Sequence, residues 1–477
     1  MFRSSLSLAL TILAVASTAG LAQRPVAPVA GSAQRLGVPN GFSLAAVGDL
    51  IQTDSISPAR SPGFAEVIAR IAGATVAFGN FESNAIDMKT FRGYPEAENG
   101  GLWLRSEPEV VADQKAMGFD LVARANNNSY DWGLEGMRET DRWLDRAGIV
   151  HAGTGETRSA ARAASYLATT QGTVALVSMT SSFTPLSRAM NPVNQAPGRP
   201  GVNAVRLSTR VLVSPAMLRA LRALHAAQPK GSFQPADSNS TDLELFGVRY
   251  QSSPTITDQV AFSYDPDSTD VGENLAAIRL GKAKADFLIA TLHSHEPENW
   301  SEAPADFVPG LAHAAIDAGA DAFIGHGPHR LRGIEIYRGR PIFYSLGNFF
   351  FQVSSIAPVA MDLYEQFGKD PRTTTDAGFL RWFENTFFGG EDGPVWYQSV
   401  VAVSTYRDGG VSEIRLYPVE LGFHDGEAGK GIPRPAPAEV AQQILATLAR
   451  LSRPFGTTIA VEGNVGVIRI AGPAPTR

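Results

Sequence analysis

"DAFIGHGPHR", residues 321–330, joins an apolar run to a loop of glycine, histidine, proline and arginine. Ala322, Phe323 and Ile324 read as a short buried strand, and His326 and His329 stand where that strand gives way to a loop. Gly325 and Gly327 let the backbone pass close to a neighbouring group. The chain has eight histidines, and five of them (His293, His295, His313, His326 and His329) lie within residues 293–329. Such crowding points to a binding centre. His313 stands apart, because it falls inside an apolar helical pattern at 305–318.

The same arrangement recurs outward from this stretch. "FSLAAVGDL" is an apolar strand ending in Gly48-Asp49, and "ATVAFGNFES" is a second ending in Asn80-Phe81-Glu82. "FDLVARANNNSYDWG" runs from a strand into an amide-rich loop, and "DFLIATLHSHE" ends in His293, His295 and Glu296. Helical patterns separate them at 63–72, 107–117, 133–147 and 273–284, with another strand at 173–179. Residues 183–270 break this rhythm with Pro- and Asn-rich stretches and one helical piece near 216–227. They read as an insertion around the active face. "GIEIYRGRPIFYSLGNFFF" reads as a hairpin, and a second pairs 400–406 with 411–417. A helix at 438–452 and a last hairpin about Gly463-Asn464 form a C-terminal extension over 433–477.

Strand–helix units followed by hairpins imply an α/β fold with mixed sheets flanked by helices. Ligand sites in such folds form beyond the carboxyl ends of the strands. Asp49, Glu82, Asn127, His293, His326 and His329 would converge there. Carboxylate and amide oxygens combined with imidazoles suit Zn, Mn or Fe, whereas an all-oxygen set suits Mg or Ca. Two such ions about 3.5–4 Å apart can clamp an ester and activate water.

Composition narrows the classes further. With no cysteine, disulfide frameworks, thiolate metal sites and lipid-modified Cys are all excluded. A net charge of −6 without a Lys/Arg-dense block argues against nucleic acid as the main partner. Residues 1–22 have the form of a secretory signal peptide, with Arg3, an apolar run from Leu6 to Ala16, and small residues after it. Residues 23–40 read as a flexible leader before a body at 41–422. The expectation is a secreted or periplasmic protein with no transmembrane segment once the signal is cleaved. No G-x-S-x-G elbow is present, and "HEPENW" is not a zincin helix.

In these motifs the chain resembles the CapA family of capsule or poly-γ-glutamate biosynthesis proteins, whose domain is similar to calcineurin-like metallophosphatases. Gly48-Asp49 matches the family's strand-end Gly-Asp, and "GNFES" its Asn-Leu-Glu element through Glu82. "ARANNNSYDWG" matches its Asn-Asn-His…Asp-x-Gly loop through Asn126, Asn127, Asp131 and Gly133, and "ATLHSHE" its histidine strand end. "GHGPHRLRGIEIYRGRPIFYSLGNFFF" follows its Gly-His-x-Pro-His and Tyr-Ser-Leu-Gly-Asn-Phe signature nearly residue for residue. The resemblance covers residues 41–180 and 272–352 and the hairpin near 400–417.

It implies a calcineurin-like αββα sandwich of two mixed sheets, with one or two divalent transition-metal ions (Zn, Mn or Fe) held by Asp49, Glu82, Asn127, His293, His326 and His329. It also implies metal-dependent hydrolysis of a phosphoester or γ-linked amide, on an anionic polymer or phosphoester substrate, alongside capsule-synthesis machinery. Arg124 and Arg330, beside the motifs, are candidate substrate-binding cations. Ser345 and Asn348 are candidate braces for the loops.

Two elements depart from the family. Asn128 occupies the place of the loop histidine that protonates the leaving group, and Asn cannot do that. Ser294-His295-Glu296 replaces the usual Trp-Gly, so His295 or Glu296 becomes the candidate acid. Like the family generally, the chain lacks the second histidine of the metallophosphatase Asp-x-His element, with Ile51 in its place, which implies one ion rather than two. Two other readings stay open at this point. One is a polyanion-binding or export scaffold without turnover, and the other is metal-free acid/base chemistry by the histidines.

Overall fold

The computed structural model describes residues 37–56, 63–96, 102–229, 241–426 and 429–470. The signal peptide and most of the leader read from the sequence lie outside them.

The fold is mixed α/β, built on two large sheets. In the first, the strands Ser43–Ile51, Val76–Asn80, Leu121–Ala123 and Val150–Ala152 run parallel in that order. Gln398–Arg407 pairs antiparallel with Ser43–Ile51, and Gly410–Glu420 and Val465–Arg469 continue outward. In the second sheet Phe287–His293 is central, parallel to Gly172–Thr180 on one side and to Ala322–His326 on the other. Arg340–Phe343 and Ile334–Tyr337 complete one edge, and Ser165–Thr169 the other.

Strand periodicity of two explains how the layers stack. Leu44, Ala46, Val76, Phe78 and Leu121 of the first sheet share one buried cluster with Val174, Leu176, Phe287, Ile289, Ala322 and Ile324 of the second. The alternate residues face outward. Ala45, Val47, Ala77 and Val122 pack with Phe64, Val67 and Ile71 of the helix Phe64–Ala72, and with Val111 and Leu144 of Glu109–Ala116 and Gly133–Ala147. Ala175, Val177, Leu288 and Ala290 pack with Ile278, Leu311 and Ala315 of the helices Ser268–Lys282 and Phe307–Asp317. Both faces of the central strands are therefore apolar, as the near-continuous hydrophobic runs require. The helix Ala438–Ser452 puts Ala441, Ile444, Leu445 and Leu448 into the core between the sheets.

Three regions differ from the sequence expectation. "GIEIYRGRPIFYSLGNFFF" is a hairpin only over Ile334–Tyr337 and Arg340–Phe343. Tyr344 to Gly347 then carry the chain across to the first sheet, where Asn348–Phe351 pairs parallel with the end of Ser43–Ile51. The insertion builds a four-stranded sheet of its own (Leu207–Val213, Asp242–Leu245, Val248–Ser252, Ala261–Pro266). The helix Pro215–Ala226 packs on it through Leu218, against Val213, Leu243 and Leu245. Residues 361–397 form two helices, Met361–Gln366 and Asp376–Phe387, where the sequence had suggested no element. Among the described residues no helix is long and apolar enough to cross a membrane.

Candidate metal centre

Register brings the site together. Asp49 lies opposite Asn80 in the first sheet, and His293 opposite His326 in the second. Gly48 is required beside Asp49: a Cβ there would lie 1.8 Å from the Gly347 carbonyl, which accepts from the Asp49 N–H at 3.0 Å. Gly327 has φ +108 and sits against the Ser294 backbone, so the turn after His326 admits no side chain. His329 itself adopts φ +54, uncommon for a non-glycine residue, and is held there by neighbours. Its Nδ1 donates to Asn348 Oδ1 at 2.9 Å, while the Asn348 amide donates to the carbonyls of His329 and Trp396. Nε2 of His329 lies 3.6 Å from Glu82 Oε1.

Asn80, which the sequence reading placed at a strand end but gave no role, is the polar hub. The Asn126 amide donates to the Phe81 carbonyl at 2.9 Å and to Asn80 Oδ1 at 3.2 Å. This fixes the flip of Asn80 and turns its NH2 toward Asp49 Oδ1 (2.8 Å), Glu82 Oε2 (3.3 Å) and His293 Nδ1 (3.2 Å). His293 then carries its proton on Nε2 and donates to His295 Nε2 at 3.0 Å, and His295 Nδ1 donates to Asn299 Oδ1 at 2.6 Å. Burial, with His295 adding to it, holds His293 well below the usual imidazole value, so the ring is neutral. Burial, with His329 adding to it, pushes His295 down to about 4.

The two carboxylates are pushed apart. Burial raises the Glu82 carboxyl well above its ordinary value, and the Asp49 charge adds to this. Burial also acts upward on Asp49, but the imidazoles of His326 and His329, each 3.3 Å away, outweigh it and hold that carboxyl well below the usual range.

His326 supplies the test of fit for a metal ion. It is buried, its Nδ1 approaches Asp49 without the alignment of a hydrogen bond, and neither ring nitrogen has a hydrogen-bond partner among the described residues. An unsatisfied buried imidazole is costly unless something takes its lone pair. Glu82, His293 and His295 form one group, and Asp49, Glu82 and His329 another, whose ligand atoms lie within 4.8 Å of one another. Glu82 belongs to both. The donors fit a divalent transition-metal ion, and Asn127 lines the cavity beside Glu82 and His329.

The other sequence candidates fall in different places. His295 lies among the candidate ligands themselves, a role the sequence reading did not assign to it first. Glu296 accepts from the hydroxyls of Ser181 and Ser294 at 2.7 Å and borders the cavity. Asn128 lines the cavity, but its amide donates to Asp131 and to the Leu102 carbonyl. Arg124 is fully buried, donating to the carbonyls of Phe81 and Ser83 and pairing with Asp141. Arg330 donates to the Trp300 carbonyl and pairs with Glu302. Neither arginine is among the cavity-lining residues, so both act as loop supports in this structure. Ser345 and Asn348 brace the crossing segment, Ser345 by accepting from the Gly347 N–H. His313 is elsewhere, stacked on Tyr337 and bonded to Glu335.

A mixed α/β protein with a buried imidazole–carboxylate centre at its strand ends is the class that fold and site define. Residues 43–353 match the family model for "Bacterial capsule synthesis protein PGA_cap", and the chain belongs to that family. A protein of Sinorhizobium fredii (strain NBRC 101917 / NGR234), "Uncharacterized protein y4sH", is 48% identical over 91% of this chain and 94% of its own length. "Capsule biosynthesis protein CapA" of Bacillus anthracis is 24% identical over 57% of this chain and 49% of its own. "PGA biosynthesis protein CapA" of Bacillus subtilis (strain 168) is 28% identical over 57% and 52%.

Proposed function

We propose that the chain is an exported, metal-dependent hydrolase of calcineurin-like architecture, working in capsule or poly-γ-glutamate synthesis or handling. It would cleave a phosphoester or a γ-linked amide. The observation that carries this reading is the set of Asp49, Glu82, His293, His295 and His329, whose ligand atoms form two groups sharing Glu82, with buried His326 3.3 Å from Asp49 and without a hydrogen-bond partner on either nitrogen among the described residues. These residues and Asn127 would hold one or two ions, which supply Lewis acidity toward the scissile group. The protein's own residues do the rest. Asn80 bridges the two carboxylates and occupies Nδ1 of His293, so His293 would hold an ion through Nε2 by giving up the proton it shares with His295 in the ion-free arrangement. Neutral His295, at the cavity wall, accepts a proton on Nε2, and the Ser181–Ser294 cradle keeps Glu296 oriented toward the same cavity.

Metal content of the purified protein, measured by mass spectrometry beside a His326→Ala/His329→Ala variant, tests the reading. One or two transition-metal ions per chain, lost in the variant, are expected. Protein that stays metal-free after incubation with Zn, Mn and Fe would sink it. His295→Ala separates the roles of that residue: retained metal with lost turnover makes it a proton acceptor, and lost metal makes it a ligand.

The Asn128 amide, engaged by Asp131 and Leu102, favours a second reading, a polyanion-binding scaffold without turnover. Saturable polyglutamate binding with no hydrolysis under any metal would decide for it.

A further inference from the structure

The centre opens into a cleft of about 1140 Å³, far more than a phosphoryl group fills. Its wall is aromatic and begins at the centre itself. His329 lies 5.8 Å from Trp396, Trp396 4.8 Å from Phe388, and Phe383 4.5 Å from Phe387, all ring centroid to ring centroid. At the mouth Trp300, Phe387 and Phe262 are 47%, 42% and 41% exposed, unusual for such large rings. Three carboxylates (Glu82, Glu296 and Glu298) line the cleft, and no Lys or Arg does so among the described residues. The nearby cations work behind the wall: Arg330 and Arg332 hold the backbone of Glu298, Trp300 and Ser301. Buried Trp396 also keeps an indole N–H without a partner among the described residues, a donor awaiting an acceptor. Phe367, Phe383, Phe387, Phe388 and Trp396 of this wall lie beyond the family match at 43–353, and Phe262, Trp300 and His329 within it.

Resting on the hydrolase reading above, we infer that the group beside the scissile bond is an uncharged ring with an apolar face and a hydrogen-bond acceptor, not a run of carboxylates. A γ-glutamyl chain would bring unpaired negative charge against Glu296 and Glu298, whereas a glycosyl or aryl ring stacks on the exposed rings of Trp300 and Phe387.

Calorimetric titration of Mn-loaded protein with phenyl phosphate, glucose 1-phosphate, methyl phosphate and a γ-glutamate hexamer tests this. At least one ring phosphate should bind about ten-fold tighter than methyl phosphate, and which one does so tells aryl from glycosyl. The hexamer should bind more weakly than that ring phosphate. Trp300→Ala and Phe387→Ala should each reduce the ring preference with metal content unchanged. A hexamer that binds as tightly as the ring phosphates, or variants that leave the preference intact, would overturn the inference. Repeating the titrations on metal-free protein separates the two claims. A ring preference that persists where metal never loads upholds the cleft and fails only the metal centre. No preference with metal properly loaded fails the cleft alone.

Discussion

At the level of single residues, Asn80 has the widest consequences. Its NH2 is the donor that lets Asp49 and Glu82 share a buried space. Asn80→Ala should destabilise metal-free protein by about 1–3 kcal/mol, the cost of leaving buried acceptors unpaired. Adding Mn should recover most of that loss, which denaturant titration with and without metal would show. Asp131 gives a pH signature. Burial raises its carboxyl well above the ordinary value, although Asn128 and the Leu104 N–H donate to it. A raised carboxyl binds its proton more tightly in the folded state. Stability is therefore gained as pH falls through the folded pKa toward the unfolded value, and the charged form costs its full amount above it. Asp131→Asn, which keeps an acceptor for Leu104, should raise Tm at neutral pH, with the difference shrinking in acid. A variant less stable than the parent at neutral pH would refute this.

Among elements, the helix Ala438–Ser452 and the strand Ser43–Ile51 at Gly48 carry separable burdens. Leu448 is fully buried between the sheets, so Leu448→Ala should cost about 2–5 kcal/mol. It should leave metal content untouched, because the helix contributes no candidate ligand. Gly48→Ala does the opposite. The clash with the Gly347 carbonyl must move Asp49, so metal content should fall along with stability by about 3 kcal/mol.

Elements also show what the sequence could reveal. Strands ending in Asp49, Glu82, His293 and His326 were legible, because an apolar run meeting a polar residue is a sharp contrast. The strand Leu207–Val213 lacked that contrast: Ser208 and Thr209 are exposed and only Val213 is fully buried, as suits a small sheet with a slender core. Asp376–Phe387 was missed although Thr375 caps it by accepting from the Gly378 N–H. Its aromatics Phe379, Phe383 and Phe387 repeat at helical spacing, but the surrounding stretch matched no motif. The role of Asn80 was illegible for a different reason. Its role depends on the flip imposed by Asn126 and Phe81, a tertiary fact. Arg124 and Arg330 were placed correctly near the motifs, yet their guanidiniums turn away to carbonyls and acids, and adjacency in sequence does not give direction.

For the whole molecule, the proposed ion links folding to binding. An ion bound only by the folded state stabilises by about 2.7 kcal/mol at a hundred-fold excess over Kd. Chelation should therefore lower Tm by several degrees, and the His326→Ala/His329→Ala variant should show no response to metal in the same thermal scan.

The ligand candidates are divided between the layers: Asp49 lies near the end of Ser43–Ile51 and Glu82 just past Val76–Asn80 in the first sheet, and His293 and His326 end strands of the second. The short crossing from Tyr344 to Gly347 ties the layers covalently at this spot. Any slippage of one layer over the other must therefore change the coordination before either sheet frays. Cobalt at the centre would act as a strain gauge for the seam, its visible spectrum shifting in mild denaturant while the far-ultraviolet signal of the sheets still holds.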